Sequence, residues 1–278
     1  MNVEITRRGL AGVALGAGFA LAVQPVSAAT IITPVDGLDA ADVEIQTADR
    51  KIPGYRARPK GGKGEGVVIV CQEIFGVHEH IRDLCRRLAK AGYYAIAPAL
   101  YVRQGDPTTV DDIKTLVETI VAKVPDDQVM SDLDFTAAFA GQDGADDAKL
   151  GITGFCWGGR IVWLYAAHQP NLKAGVAWYG KLTGAPDPLH PKHPVDVAKE
   201  LKAPVLGLYG GKDGGIPLES VEAMRAALGP ESKSSIHVYP DAPHGFNADY
   251  RDSYVEADAK DGWAKMLAFF EANGVGAR

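Results

Sequence analysis

Residues 154–159 read Gly-Phe-Cys-Trp-Gly-Gly, preceded by the strand-forming run Lys149-Leu150-Gly151-Ile152-Thr153 and followed by an apolar helical segment, Ile161 to Ala167. A chain that passes from strand to helix through so sharp a turn brings its backbone segments close together, and only glycine fits on either side. Gly154 and Gly158, each two positions from Cys156, meet that need. Such a turn holds its central side chain in a strained backbone conformation at the end of a strand, and the usual occupant is a serine nucleophile. Here the occupant is cysteine. A buried structural thiol in a glycine-rich turn has the same local sequence, because free cysteine is often core, so the choice rests on what else the chain supplies.

Around this turn, strands and helices alternate. Ala41 to Thr47 and Gly54 to Pro59 alternate polar and apolar residues about Asp49-Arg50-Lys51, the pattern of an antiparallel hairpin at a sheet edge. Val67 to Cys71 is apolar throughout, as in a strand buried on both faces. Further strands are expected at Tyr94 to Pro98, Leu150 to Gly154, Ala174 to Trp178, Val205 to Tyr209 and Ile236 to Tyr239. Helices are expected at Glu79 to Lys90, Val110 to Val124, Gln128 to Phe139, from the glycine turn to His168, near Leu218 to Leu228, and at Tyr254 to Ala272, where Trp263, Met266, Leu267 and Phe270 form an apolar stripe. This is an α/β chain: a mainly parallel twisted sheet with helices on both faces and an N-terminal antiparallel hairpin. In such sheets the site lies at the carboxyl ends of the strands.

Residues 1 to 29 stand apart. Arg7-Arg8, the apolar run Gly9 to Val23 and the small residues up to Ala29 are the three regions of an export signal. Thr6-Arg7-Arg8-Gly9-Leu10 resembles the twin-arginine type, which would make the export machinery a partner and the periplasm or the exterior the destination. The apolar run is glycine-diluted and shorter than the ~20 residues a membrane span needs, so no stable insertion is expected after cleavage. Residues 30 to 278 then form a single domain, since no linker or repeat divides them and 46% hydrophobic content is enough for a full core. A net charge of -6 disfavours a nucleic-acid partner. Three cysteines, Cys71, Cys85 and Cys156, cannot all pair. His78 with His80 and His190 with His193 lack a further ligand at suitable spacing, and there is no phosphate-binding glycine loop, so neither a metal nor a cofactor is expected.

Three polar residues fall just beyond expected strand ends: Cys156, Asp213 in Gly210-Gly211-Lys212-Asp213, and His244 in Asp241-Ala242-Pro243-His244-Gly245-Phe246. Nucleophile, acid, histidine is the chain order of the α/β-hydrolase fold, not that of chymotrypsin or subtilisin. A thiol needs a base to become a thiolate, and the base needs an orienting partner; His244 and Asp213 can serve in turn. The charge that develops on an attacked carbonyl needs fixed donors, one being the backbone N–H of Trp157 at a helix N-terminus. The second belongs to the loop after an early strand, Gln72-Glu73-Ile74-Phe75-Gly76. Glu73, directly after an apolar strand, falls near the same face as Cys156. Arg103 follows the next strand and either pairs with Glu73 or binds an anionic substrate; spacing alone does not choose.

Gln72-Glu73-Ile74-Phe75-Gly76-Val77, Pro98-Ala99-Leu100-Tyr101 with Arg103-Gln104, Gly154 to Gly159 and His244-Gly245-Phe246 together resemble the dienelactone hydrolase (carboxymethylenebutenolidase) family, over about residues 40 to 273. The resemblance implies an α/β-hydrolase fold and a hydrolase of lactones or small carboxylic esters that works through a thioester. It makes Cys156 the nucleophile, His244 the base and Asp213 the acid. Glu73 matches a carboxylate that interacts with the resting thiol and helps form the thiolate when substrate binds. Arg103 matches an arginine engaging this glutamate or the substrate carboxylate, and the backbone N–H groups of Ile74 and Trp157 match the oxyanion donors. Where dienelactone-cleaving members place a second substrate arginine shortly after the histidine, this chain has Phe246-Asn247-Ala248-Asp249-Tyr250, with Arg251 later. Ala99 stands where aspartate is frequent, and Leu182 to Val197 is longer. These departures leave the hydrolase chemistry in place and open two alternatives: a broad carboxylesterase, and a binding protein that has lost turnover.

Overall fold

The computed structural model describes residues 31–277, so the expected export signal lies outside the described residues. One eight-stranded sheet forms the centre, with strands β1 (Leu38–Gln46), β2 (Lys51–Pro59), β3 (Gly66–Cys71), β4 (Tyr94–Pro98), β5 (Asp146–Phe155), β6 (Ala174–Trp178), β7 (Val205–Gly210) and β8 (Ser235–Tyr239). Their spatial order is β1-β2-β4-β3-β5-β6-β7-β8. The β1–β2 and β2–β4 pairs are antiparallel and every other pair is parallel. Strands β3, β4, β6 and β7 are buried along their whole length, which is why they read as unbroken apolar runs rather than alternating ones.

The helices are α1 (Glu79–Lys90), α2 (Ile113–Thr119), α3 (Asp126–Gln142), α4 (Trp157–His168), α5 (Pro194–Val197), α6 (Leu218–Leu228) and α7 (Glu256–Ala272). They lie on both faces of the sheet. A side chain at Gly151 of β5 would run into Val275 and Phe270 at the end of α7, whereas one at Gly175 of β6 would run into Val162 of α4. Gly175 is in register with Ile152, the neighbour of Gly151, and successive side chains of a strand point to opposite faces.

The main departures from the sequence reading are three. The helix expected at Val110 to Val124 is broken into a 3₁₀ turn (Pro107–Thr109), α2, and a second 3₁₀ turn (Val121–Lys123). The Asp106 carboxylate accepts from Thr108 N–H at 2.9 Å and that of Asp112 from Thr115 N–H at 2.7 Å. An N-cap residue has non-helical backbone, so Asp112 starts one helix by interrupting the pattern that precedes it. Strand β5 begins at Asp146, where pairing with Gly66 precedes a register shift, and the hairpin strands run further than their alternation suggested, from Leu38↔Pro59 to Gln46↔Lys51.

Because β3 to β8 run parallel to one another, the loops after β3, β5, β7 and β8 all open on one edge of the sheet. Those loops carry Glu73, Cys156, Asp213 and His244.

Candidate active site

Cys156 sits between β5 and α4 with φ 55° and ψ -112°, a conformation that costs a non-glycine residue of order 1–3 kcal/mol and persists only where the surroundings enforce it. They do so by close approach. A Cβ at Gly154 would lie 2.3 Å from the Gly158 carbonyl oxygen, and one at Gly158 would lie 2.5 Å from that of Cys71. The Cys156 N–H is tied to Trp178 O at 3.0 Å, and Gly159 N–H bonds back to Cys156 O at 3.0 Å. The thiol is thus fixed at the N-terminus of α4 and is 1% exposed.

The acid and the histidine are held together by their own loops. Gly211 N–H bonds Tyr239 O at 2.8 Å and Lys212 N–H bonds Ala242 O at 3.0 Å, pinning the turn after β7 to the turn after β8. Asp213 Oδ1 accepts from the N–H groups of Gly215 and Ile216 at 2.8 and 3.1 Å. Its Oδ2 is left for His244 Nδ1 at 2.7 Å. His244 also hydrogen-bonds Cys156. Burial alone would make this imidazole less basic, but the charge on Cys156 and the bonds to Asp213 and Cys156 outweigh it and raise its pKa to about 10. The three residues drawn from three loops therefore form one line: Asp213, His244, Cys156.

Trp157, the first residue of α4, has a backbone N–H with no intrahelical acceptor, and its ring packs edge-on against Tyr101 at 4.9 Å. Ile74 is buried in the turn that Glu73 and Gly76 close, with Gly76 at φ 78°. A cleft of about 500 Å³ opens beside this turn, lined by Gln72, Phe75, Gly76, Tyr101, Val102 and Pro107 among others. Its lining does not include Cys156.

Glu73 is fully buried, and its carboxylate is taken by other partners than the thiol. Oε2 accepts from the Tyr250 hydroxyl at 2.5 Å and lies 3.3 Å from His78 Nε2, while Oε1 lies 3.6 Å from Arg251 Nη2. Burial pushes the carboxyl toward the neutral form; Arg251 and His78 outweigh it and hold Glu73 below the ordinary carboxylate range. Among the described residues no hydrogen bond joins Glu73 to Cys156, which differs from the contact with the resting thiol that the resemblance implied.

Arg103 is not brought to Glu73 either. Its guanidinium binds Asp132 at 2.7 Å, Asp49 at 2.6 Å and Thr47 Oγ1 at 3.0 Å, and so ties α3 to the turn of the β1–β2 hairpin. The cation that does reach Glu73 is Arg251, whose side chain is fully buried. The sequence showed Arg251 only as a late arginine. Tyr250 and Asp249 beside it were missed as site residues; the available signal was a carboxylate, a phenol and a guanidinium in succession in the loop that carries His244. Tyr179 was missed too: it follows β6 with φ 38°, is buried, and packs edge-on against His244 at 5.1 Å. Cys71, Cys85 and Cys156 are all free thiols. Among the described residues no group of three or more His, Cys, Asp or Glu side chains is placed to hold a metal ion.

This arrangement has relatives. The "Putative carboxymethylenebutenolidase" of Methylorubrum extorquens is 56% identical over 277 residues, covering 99% of this chain and 95% of the relative. The protein of the same name from Escherichia coli K12 is 58% identical over 259 residues, covering 92% of this chain and 96% of the relative. The crystal structure of the "Putative Dienelactone Hydrolase" of Klebsiella pneumoniae superposes with a TM-score of 0.83 at 59% identity, covering 84% of this chain and 98% of that one. The pattern that defines the dienelactone hydrolase family matches residues 52–274. The fold, the strand-edge site and these likenesses agree: the chain is an α/β hydrolase and belongs to the dienelactone hydrolase family.

Proposed function

We propose that the chain hydrolyses lactones or small carboxylic esters through Cys156, His244 and Asp213. The observation that carries this reading is the continuous line from the Asp213 carboxylate through His244 to a thiol held in a strained strand-to-helix turn. Asp213 fixes which ring nitrogen faces the thiol, and His244 takes the thiol proton. The sulfur attacks the substrate carbonyl carbon, forming a C–S bond while the carbonyl π electrons move onto oxygen. The N–H groups of Trp157 and Ile74 are the donors for that oxyanion, the first aided by the α4 dipole. Collapse breaks the C–O bond, and the leaving alkoxide takes the proton from His244. Water, deprotonated by His244, then attacks the thioester; the C–S bond breaks, and the carboxylic acid leaves. In a lactone the leaving oxygen stays tethered, so both halves depart as one hydroxy acid or its keto form.

Support for a neutral ester as substrate comes from Arg103, whose guanidinium is committed to Asp49 and Asp132 rather than free for a substrate carboxylate. On this second reading p-nitrophenyl acetate is turned over far better than an enol-lactone carboxylate, and a side-by-side measurement decides. Cys156→Ala tests the shared core: turnover of an activated ester should vanish while the circular dichroism spectrum stays native. Undiminished turnover would falsify it.

A further inference from the structure

The cleft of about 500 Å³ beside the turn after β3 has the size of a small-molecule site. Phe75, Tyr101, Val102 and Pro107 give it an apolar lining. Gly76 lets Pro107 close against the turn, since a Cβ there would lie 2.8 Å from the proline ring. Ala99, fixed by its N–H on Pro53 O at 2.8 Å, adds only a methyl group. The charged lining residues are already engaged. Arg82 pairs with Asp42 at 2.6 Å, donates from Nε to Val77 O at 3.4 Å and lies over the Tyr55 ring at 4.8 Å. Asp106 accepts from the N–H and the hydroxyl of Thr108 at 2.9 and 2.7 Å. An anionic occupant would therefore enter without a cation of its own, at a cost an alkyl chain does not meet.

Both proposed oxyanion donors border this cleft. Ile74 directly precedes Phe75, and Trp157 packs edge-on against Tyr101 at 4.9 Å. In the sheet, β5 with Cys156 at its end stands between β8, which precedes His244, and the β4 and β2 strands that flank the cleft. The leaving oxygen takes its proton from His244, so it faces the β8 side. The other substituent of the carbonyl carbon, the acyl chain, then points toward β4.

We infer that this cleft is the acyl pocket: it takes the neutral, apolar acyl chain of an ester, and Ala99 and Val102 set how much chain it admits. The inference rests on the thioester mechanism through Cys156 proposed above, in its neutral-ester form, and names the substrate class of that site.

The test compares kcat/KM for p-nitrophenyl acetate, p-nitrophenyl hexanoate and the mono-p-nitrophenyl ester of adipic acid, whose acyl chain matches hexanoate in length and ends in a carboxylate. Hexanoate should exceed acetate by about tenfold or more, since even one methylene in an apolar pocket is worth about tenfold, and the adipate ester should fall about tenfold below hexanoate. Ala99→Leu and Val102→Phe fill the cleft from two positions, and each should lower the hexanoate-to-acetate ratio about tenfold through KM for hexanoate. The ratio is taken within one protein, so a partly unfolded variant loses both activities alike and keeps it; a drop in either variant supports the pocket. A ratio unchanged in both overturns the inference, as does a wild type that prefers acetate to hexanoate or the adipate ester to hexanoate. If Cys156→Ala still cleaves these esters, the mechanism underneath has failed; if it is inactive while the filled variants keep the wild-type ratio, the failure is confined to the cleft.

Discussion

His244 Nδ1 stands 2.7 Å from Asp213 Oδ2, and the other oxygen of that carboxylate is already occupied by two backbone N–H groups. The carboxylate therefore cannot rotate to offer the histidine a different face. An amide in its place would put an N–H2 group either on His244 or against the N–H groups of Gly215 and Ile216. Asp213→Asn is expected to keep the fold and the KM for p-nitrophenyl acetate while lowering kcat by about 10³- to 10⁴-fold, the scale of losing the correct histidine tautomer in such a triad. Steady-state kinetics with equal near-ultraviolet spectra check it; a kcat within tenfold of wild type would remove Asp213 from the mechanism.

Arg103→Ala is expected to behave in the opposite way. Asp132 is 2% exposed at its side chain and depends on Arg103; burial already raises its pKa against the pull of that guanidinium. Losing hydrogen bonds to a charged, buried group costs about 1.5–3 kcal/mol, visible as a lower midpoint in urea. Turnover of p-nitrophenyl acetate should stay within about twofold, since a surface tie between the hairpin and α3 touches neither thiol nor carbonyl. A large rise in KM with unchanged stability would return Arg103 to the substrate.

Asp249, which bonds His80 and Arg87 of α1, ties the loop after β8 to that helix with a pH signature. Burial works against its ionisation, but His80 and Arg87 outweigh it and keep its pKa below the ordinary 3.8. A carboxyl whose folded value lies below its unfolded one adds stability that is complete above the unfolded value and is lost as pH falls through the folded value. Asp249→Asn should cost about 2–3 kcal/mol at pH 7, less than the 3–5 of a fully buried pair because Arg87 keeps 24% exposure. The gap between wild type and variant should hold down to about pH 4 and narrow below it, as urea titrations at pH 7, 5 and 3.5 would register. A gap that is constant to pH 3 would show that Asp249 contributes by packing alone.

Cys156, Asp213 and His244 were legible because each follows a strand whose apolar run announces itself, and the turn chemistry at those three ends is local. The sheet was legible for the same reason: β3, β4, β6 and β7 are buried at every residue, so their sequence has no competing periodicity. The broken helix near α2 was not, since an aspartate cap and a solvent-facing aspartate look alike until the backbone is seen. The partners of Glu73 were hidden by distance along the chain. Tyr250 lies 177 positions from it, and no period or spacing links a phenol in one loop to a carboxylate in another. Arg103 and Arg251 illustrate the limit from both sides: an arginine after the right strand went to the hairpin turn, and one displaced from the motif arrived at the carboxylate.

Cys156 is 1% exposed, and that has a kinetic meaning. A sulfur with so little surface is seldom met by a reagent from solution, so collision frequency and reaction frequency are different quantities. If local opening sets that access, labelling by an electrophile is expected to rise with its concentration and then level off. On the proposed mechanism a bound ester shields the thiol from oxidation for as long as it stays, and the protein's tolerance of oxidants then depends on how busy it is.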